Sequence, residues 1–246
     1  LLEHLESLGI DTHWTIVDPL EKTGHAIIQV EDEGGENAIL LYSGANSSID
    51  LDQISSTIDD FSPKSILLLQ NEISHIDSLL SIGKSHAFEV VLNPAPYTRD
   101  ISQTGNLENV DLLIVNESEA ASICNDHVEP GRLDASKTLA ALRRQVRNST
   151  QILLTLGTRG AILDAPGQSQ LSVAAFDAGP ALDTTGAGDT FIGFFLASRA
   201  AGASDEVAMH RASAAAALCV TTSGAMNSIP SKSQVDALTH CHRDDS

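Results

Sequence analysis

Residues 66–93 read ILLLQNEISHIDSLLSIGKSHAFEVVLN, with short apolar runs at Ile66–Gln70 and Glu89–Asn93 on either side of a helical pattern near Ile73–His86. The same alternation of apolar runs and helical segments continues at Leu112–Asn116, Ala135–Arg147 and Ile152–Leu156. Continuous apolar strands that alternate with helices are typical of a parallel sheet covered on both faces. The sequence therefore predicts an α/β fold with a mostly parallel central sheet.

A second kind of β pattern precedes this region. Gly24–Glu31 and Ala38–Tyr42 are short β-rich runs, and the residues at 32–37 between them have the composition of a tight turn. We therefore expect an antiparallel β hairpin at about residues 24–42.

Composition limits the classes of partner. The chain has 246 residues, with 14 Lys and Arg against 33 Asp and Glu, which gives a formal charge of −19. Nucleic acids and anionic membranes bind basic surfaces, so neither is expected as a partner. No apolar stretch approaches the roughly 18–20 residues that cross a bilayer, and we expect a soluble, cytoplasmic protein, with the nucleus as the alternative compartment. The 3 cysteines show no paired spacing, so neither a disulfide framework nor a zinc site is predicted.

The strongest chemical signal is Asp183–Phe191, DTTGAGDTF, which leads directly into a predicted helix. Small residues at 186–188 allow backbone N–H groups to point toward one anion at the helix N-terminus. In that position Asp189 can accept a proton from a hydroxyl group that attacks a phosphoryl group. The alternative is that Asp189 is an early-helix acid that only complements the helix dipole.

A second pair of polar residues follows the apolar run that ends at Asn116. Asn116 and Glu119 are three positions apart, so both can face one side of a starting helical turn. Oxygen ligands that act through water suit Mg²⁺. The same spacing also fits a capping box, in which the two side chains satisfy backbone N–H groups, and both roles can coexist.

The DTTGAGDTF segment resembles, position for position, the C-terminal signature of the ribokinase-like sugar kinases, the phosphofructokinase-B superfamily. Three further segments occur in the order that is typical of this family: Asn93–Pro96 (NPAP), Asn116–Glu119 (NESE) and Thr155–Gly160 (TLGTRG). The similarity runs over almost the whole chain. It implies a three-layer α/β domain over residues 1–246 whose small β lid is the hairpin at about 24–42.

The resemblance implies an ATP-dependent kinase that phosphorylates the 5-hydroxyl of D-ribose. Asp189 would be the catalytic base and touch the substrate, Gly186, Ala187 and Gly188 would form the anion hole, and Glu72 would contact the sugar. Glu72 could equally be a surface acid at a helix start. The alternatives for function are another sugar or nucleoside kinase of the family, such as a fructokinase or adenosine kinase, or a non-catalytic nucleotide-binding remnant.

The resemblance also implies a set of ATP contacts, at Asn116, Thr155, Gly157, Thr158, Arg159, Gly160, Gly188, Asp189 and Ser213. Most turns that contain Gly are only structural, and a lone Ser on an Ala-rich helix is usually tolerated packing, so these alternatives stay open.

Two metal sites are implied as well. Asn116 and Glu119 would hold Mg²⁺ through water. The residues that match the potassium site of the family are Asp183, Thr185, Cys219, Thr222, Gly224 and Ser228. Backbone carbonyls hold K⁺ well, so side-chain identity says little here, and Asp183 could be a plain turn residue.

Two further expectations concern the N-terminal elements of the family and the oligomeric state. The family begins with a strand that carries a sugar-binding Asp and with a Gly-Gly-x-Gly-x-Asn loop, and neither pattern occurs in this chain. We therefore expect that on the order of 60–70 residues, with most of the sugar-selecting contacts, are absent. Lids of this family often pair between subunits, so a homodimer through the hairpin is a further hypothesis.

Overall fold

The computed structural model describes residues 1–30, 37–103, 106–126 and 131–244. The chain divides into two compact units, Leu1–Val90 and Val91–Ser246.

The first unit contains the predicted hairpin. Its elements are α1 (Leu2–Ser7), β1 (His25–Val30), β2 (Asn37–Tyr42), α2 (Leu51–Ile58), β3 (Ile66–Gln70) and α3 (Ile76–Ser85). β1 and β2 pair antiparallel, with His25 opposite Tyr42 and Val30 opposite Asn37. The two strands are as predicted, while most of the predicted turn between them lies outside the described residues.

Helix α3 begins three residues later than the pattern near Ile73–His86 predicted. His75 precedes its first residue in a left-handed conformation, with φ 62°. A residue in that conformation cannot continue a right-handed helix backward, so the helix starts at Ile76. The carbonyl of His75 still accepts a hydrogen bond from the N–H of Leu79 at 3.0 Å.

The sheet of the second unit is built from β4 (Glu89–Asn93), which starts at the end of the first unit, β5 (Leu112–Asn116), β6 (Gln151–Thr155), β7 (Ala161–Asp164) and β8 (Leu171–Val173). β4, β5 and β6 run parallel to one another. β7 and β8 add an antiparallel edge. The predicted parallel core is present, and a small antiparallel β region follows it.

The central strands are buried along their whole apolar length. Leu112 to Val115 of β5 and Ile152 to Leu154 of β6 are at most 1% exposed. Neighbouring residues of a strand point to opposite faces, so burial of consecutive residues means that both faces are covered. This explains why these strands read as continuous apolar runs rather than as an alternating pattern.

The helices of the second unit are α4 (Arg99–Gln103), α5 (Glu117–Ile123), α6 (Ala135–Leu142), α7 (Ala187–Ala200), α8 (Asp205–Cys219) and α9 (Lys232–Asp244). α5 packs beside β5, α6 beside β6, and α7 packs against α8. α6 ends five residues before the predicted boundary at Arg147. The N–H groups of Arg144 and Gln145 bond carbonyls three residues back, so the last turn tightens and the chain leaves the helix.

None of the helices in the part of the chain that the structure describes combines the length and the apolar character that a membrane span requires.

Candidate active site

The polar residues of the site follow three parallel strands. Asn93 ends β4, Asn116 ends β5 and Thr155 ends β6, and the last two are direct neighbours in the sheet register. The carboxyl ends of parallel strands lie at one edge of a sheet, where ligands of open α/β folds bind. The fold therefore brings the NPAP, NESE and TLGTRG segments to the same edge.

Helix α5 begins with a complete capping box. The side-chain oxygen of Asn116 accepts a hydrogen bond from the N–H of Glu119 at 2.9 Å, and Oε2 of Glu119 accepts one from the N–H of Asn116 at 2.9 Å. Nδ2 of Asn116 also donates to Oε1 of Glu119 at 2.9 Å. The capping alternative for this pair is therefore realised, and the carboxylate of Glu119 is fixed in place.

Asn93 adds a third donor to the same carboxylate. Its buried Nδ2 donates to the carbonyl of Ile114 at 3.0 Å and to Oε2 of Glu119 at 3.2 Å. The sequence marks Asn93 only as part of a segment that is typical of the family, not as a site residue. The signal in the sequence is an Asn that closes a buried strand directly before a proline.

Glu119 is only 8% exposed, although it carries a carboxylate. Burial raises the pKa of the Glu119 carboxyl above its usual value, while hydrogen bonds from Asn116 and Asn93 oppose this change. The negative charge of Asp189 adds a smaller increase in the same pKa. This influence of Asp189 indicates that the start of α7 lies near the capping box.

The N-terminus of α7 presents backbone donors rather than a side-chain cap. Its first flanking residue, Gly186, is left-handed with φ 76°, and no side chain of the described residues caps the helix. The N–H of Ala187 donates to the carbonyl of Thr184 at 3.3 Å. Asp189 is the third helical residue and is exposed. The helix dipole and uncapped N–H groups favour an anion beside this carboxylate.

A cavity of about 300 Å³ lies next to this helix start. It is walled by the start of α7, the turn after β6 and one face of α8. The predicted ATP-binding residues that line it are Thr155, Gly157, Thr158, Gly160, Gly188 and Ser213. A cleft of this size with a few polar groups is of the kind that binds small molecules and cofactors.

The turn after β6 depends on a glycine and on one backbone hydrogen bond. Gly160 has φ 89°, and a Cβ atom there would come within 1.9 Å of the carbonyl oxygen of Val173. Only glycine fits this position. The N–H of Leu156 donates to the carbonyl of Gly160 at 2.8 Å and closes the turn.

Two predicted ATP contacts are engaged with protein groups. The hydroxyl of Ser213 donates to the carbonyl of Ala174 at 3.0 Å, although the residue also lines the cavity. Arg159 does not line the cavity. Its guanidinium pairs with Glu117 and donates to the carbonyl of Leu133 at 3.1 Å.

Asp183 connects two loops through its carboxylate. Oδ1 accepts a hydrogen bond from the N–H of Thr185 at 2.9 Å, and Oδ2 accepts one from the N–H of Gly224 at 2.9 Å. These bonds, with that from Gly224 the stronger influence, lower the pKa of the Asp183 carboxyl. Asp183 thus ties the turn at 185–186 to a distant segment, and its role at a cation site stays a prediction.

Three other residues predicted for a monovalent cation contact Cys219. Its buried Sγ lies 3.2 Å from the hydroxyl of Ser228 and contacts the carbonyl of Thr185 at 3.8 Å. The carbonyl of Cys219 accepts a hydrogen bond from the N–H of Thr222 at 3.1 Å. All six residues of this predicted site are thus joined by direct contacts.

Glu72 is exposed in a turn after β3, in the first unit, four residues before α3 begins. Its predicted contact with a sugar stays a prediction.

The apolar walls of the cavity were not predicted as site residues. They include Ala175, Phe176, Phe191, Ala217 and Val220, together with Thr184. Phe176 follows β8, whereas Ala217 and Val220 lie at the end of α8. Apolar residues of this kind are common in any core, so the sequence carries no signal that sets them apart.

Comparison with known proteins shows the family of the chain. The model of the pfkB family carbohydrate kinases matches residues 1–232. A ribokinase of Haemophilus influenzae is 33% identical over 235 residues, which are 94% of this chain and 74% of that protein.

Solved structures share the fold. A ribokinase structure from Giardia lamblia superimposes with a TM-score of 0.85 at 27% identity and covers 100% of this chain and 78% of its own. The structure of Arabidopsis thaliana ribokinase complexed with ribose and ATP gives a TM-score of 0.75 at 29% identity, over 89% of this chain and 70% of that one. This chain belongs to the pfkB family of carbohydrate kinases.

Proposed function

We propose that this chain transfers the γ-phosphoryl group of ATP to the 5-hydroxyl of D-ribose. One observation carries the proposal: the uncapped start of α7 presents Asp189 directly beside Gly188, and Gly188 lines the cavity that the predicted nucleotide turn also lines. An anion-binding helix end, an exposed carboxylate and a nucleotide-sized cleft are the parts that phosphoryl transfer requires.

The cavity suits the nucleotide. Phe176, Ala217 and Val220 provide apolar walls for a planar base, and the hydroxyl groups of Thr155 and Thr158 provide polar contacts. The phosphates then extend toward the start of α7, where the helix dipole and the N–H groups are favourable for negative charge. This orientation places the terminal phosphate next to Asp189.

The chemistry is an in-line displacement. Asp189 accepts the proton of the ribose 5-hydroxyl as that oxygen bonds to the γ-phosphorus, and the bond from this phosphorus to the bridging oxygen of ADP breaks. The N–H groups at 186–188 stabilise the charge on the transferring group.

The residues present fit a hydrated Mg²⁺ beside the phosphates. Oε1 of Glu119 accepts one described hydrogen bond, from Nδ2 of Asn116, and a carboxylate oxygen can accept a second. A water ligand of Mg²⁺ can donate that second bond. When bound, the ion would neutralise phosphate charge, while Asn116 and Glu119 would orient its water.

The contacts around Asp183 also suit a monovalent cation such as K⁺. Asp183 supplies a negative charge, and its two hydrogen bonds hold the backbone of Thr185 and Gly224 in fixed positions. Carbonyl oxygens at such fixed positions are the ligands that K⁺ prefers. The cation would then reinforce the anion-binding turn.

The choice of D-ribose as the acceptor is supported by the relatives. The Haemophilus influenzae relative is named a ribokinase, and the Arabidopsis thaliana structure is complexed with ribose and ATP.

A homodimer is supported by exposed apolar residues on the hairpin. Ile27 and Leu40 are paired opposite each other and are 54% and 69% exposed. We propose that the hairpin faces a second copy of this chain, and a mass in solution that stays monomeric at all concentrations would overturn this.

The test is ADP release by the folded chain with Mg-ATP and K⁺, with and without D-ribose. We expect ribose-dependent release that Asp189→Asn abolishes. A panel with 2-deoxy-D-ribose, D-fructose and adenosine determines the acceptor, and a higher kcat/KM for one of these would replace D-ribose in the proposal. A folded chain that binds ATP but shows no acceptor-dependent release would favour the non-catalytic alternative.

A further inference from the structure

The turn that lines the nucleotide cavity is tied to the start of α5 by one ion pair. The guanidinium of Arg159, in the middle of the turn at 157–160, pairs with the carboxylate of Glu117, the first residue of α5. Glu117 directly follows Asn116 of the capping box. The two residues are 42 positions apart, so only the fold brings them together.

Each partner also holds a third segment of the chain. Nη1 of Arg159 donates to the carbonyl of Leu133 at 3.1 Å, and Oε2 of Glu117 accepts a hydrogen bond from the N–H of Gly131. The pair therefore joins three segments: the cavity turn, the first turn of α5 and the chain at 131–133. The side chain of Glu117 is only 12% exposed, so its charge is poorly screened by solvent.

We infer that Glu117 and Arg159 are positioning residues for nucleotide binding, and that they act by holding the 157–160 turn against the start of α5. Gly157, Thr158 and Gly160 line the cavity, whereas Arg159 between them points away from it. The side chain of Arg159 thus holds the turn from the side that faces away from the cavity. This inference rests on the proposed function, because it assumes that the cavity holds ATP.

The physical effect is preorganisation. Without the pair, the turn must be ordered when ATP binds, and ordering a loop or side chain at a binding site costs affinity. We expect Arg159→Ala and Glu117→Ala each to raise the Kd for ATP by about tenfold. Since each single variant already breaks the pair, the double variant is expected to bind ATP as weakly as the singles rather than a hundredfold less tightly.

The chain offers a matched control in Arg147 and Asp111. Nη2 of Arg147 approaches Oδ1 of Asp111 at 3.4 Å and the carbonyl of Val110 at 3.5 Å, so this arginine also holds one carboxylate and one carbonyl. The side chains of Arg147 and Arg159 are 38% and 39% exposed. Arg147 does not line the cavity, so Arg147→Ala is expected to lower the thermal midpoint without changing the Kd for ATP.

The experiment is calorimetric titration of the full chain and its variants with Mg-ATP, with the thermal midpoint of each measured in parallel. Arg159→Lys and Glu117→Gln keep part of the contact between the two side chains. Their Kd for ATP is expected to lie between those of wild type and the alanine variants. These two variants provide the test if an alanine variant fails to fold. If Arg159→Ala binds ATP with the Kd of wild type, or if Arg147→Ala raises this Kd as much as Arg159→Ala does, the inference is overturned while the proposed function stands. A folded wild-type chain that does not bind ATP would overturn the proposed function and this inference with it.

Discussion

The carboxylate of Asp183 accepts a hydrogen bond from the backbone N–H of Gly224 at 2.9 Å, across 41 positions of sequence. Its other oxygen accepts the N–H of Thr185, at the start of the turn that leads into α7. One side chain therefore links the anion-binding turn to the loop after α8. The bond to Gly224 is the main cause of the lowered pKa of the Asp183 carboxyl, so the pair can be tested by titration.

Asp183→Asn is expected to remove stability that depends on ionised Asp183. Its folded pKa lies below the ordinary value of 3.8, so the contribution is present above that pH and is lost as the pH falls through the folded pKa. The measurement is the free energy of unfolding from neutral pH to about pH 2. The wild-type advantage over the variant should shrink on the acid side, and an advantage that stays constant with pH would contradict the assignment.

Asp189→Asn tests the proton acceptor. An amide cannot take the proton of the acceptor hydroxyl, so kcat should fall by about 10²- to 10⁴-fold. The Kd for ATP should stay close to that of wild type, since the backbone N–H groups at 186–188 and the cavity walls are unchanged. The measurements are ADP release and calorimetric titration. Parallel loss of turnover and nucleotide affinity would mean that Asp189 supports the site rather than the chemistry.

Two glycines of the anion-binding turn are expected to respond differently to alanine. Gly186 is left-handed with φ 76°, so Gly186→Ala should destabilise the fold by roughly 1–2 kcal/mol. A Cβ at Gly188 meets nothing within 4 Å, and the residue lies in the first turn of α7. Gly188→Ala should therefore keep the stability of wild type.

Titration with ATP distinguishes a role in phosphate binding from a role in stability at these two glycines. Gly188 lines the cavity, so the added methyl group of Gly188→Ala should occupy phosphate space and weaken ATP binding. Thermal unfolding and titration of both variants provide the readouts. Wild-type ATP affinity in Gly188→Ala would argue against an anion hole at this turn.

Glu119→Gln tests the buried carboxylate. Burial is the main cause of the raised pKa of Glu119, whose ordinary value is 4.5. The folded state therefore binds the proton more tightly, and the stability of wild type relative to Glu119→Gln should decrease as the pH rises from 4.5 through the folded pKa. Above that pKa the difference should be constant. The measurement is urea unfolding at a series of pH values, and a difference that grows with pH would contradict this sign.

The parallel strands and the signature turn could be predicted because both depend on local sequence. A strand buried on both faces requires apolar residues throughout, so Leu112 to Val115 and Ile152 to Leu154 read as strands without any knowledge of their neighbours. The turn at 186–188 similarly requires small residues next to a helix start. The position of Asp189 in the first turn of α7 follows from this segment alone.

The partners of the polar groups were decided only by the tertiary structure. The burial of Glu119 against Asn93, the pairing of Glu117 with Arg159 and the bond from Gly224 to Asp183 all join residues that are distant in sequence. No local pattern encodes these pairings, because side chains of many types would satisfy the same helix and strand periodicity. Local sequence thus determined the elements and the motif, whereas packing of the sheet edge determined which charges are buried, paired or left facing the cavity.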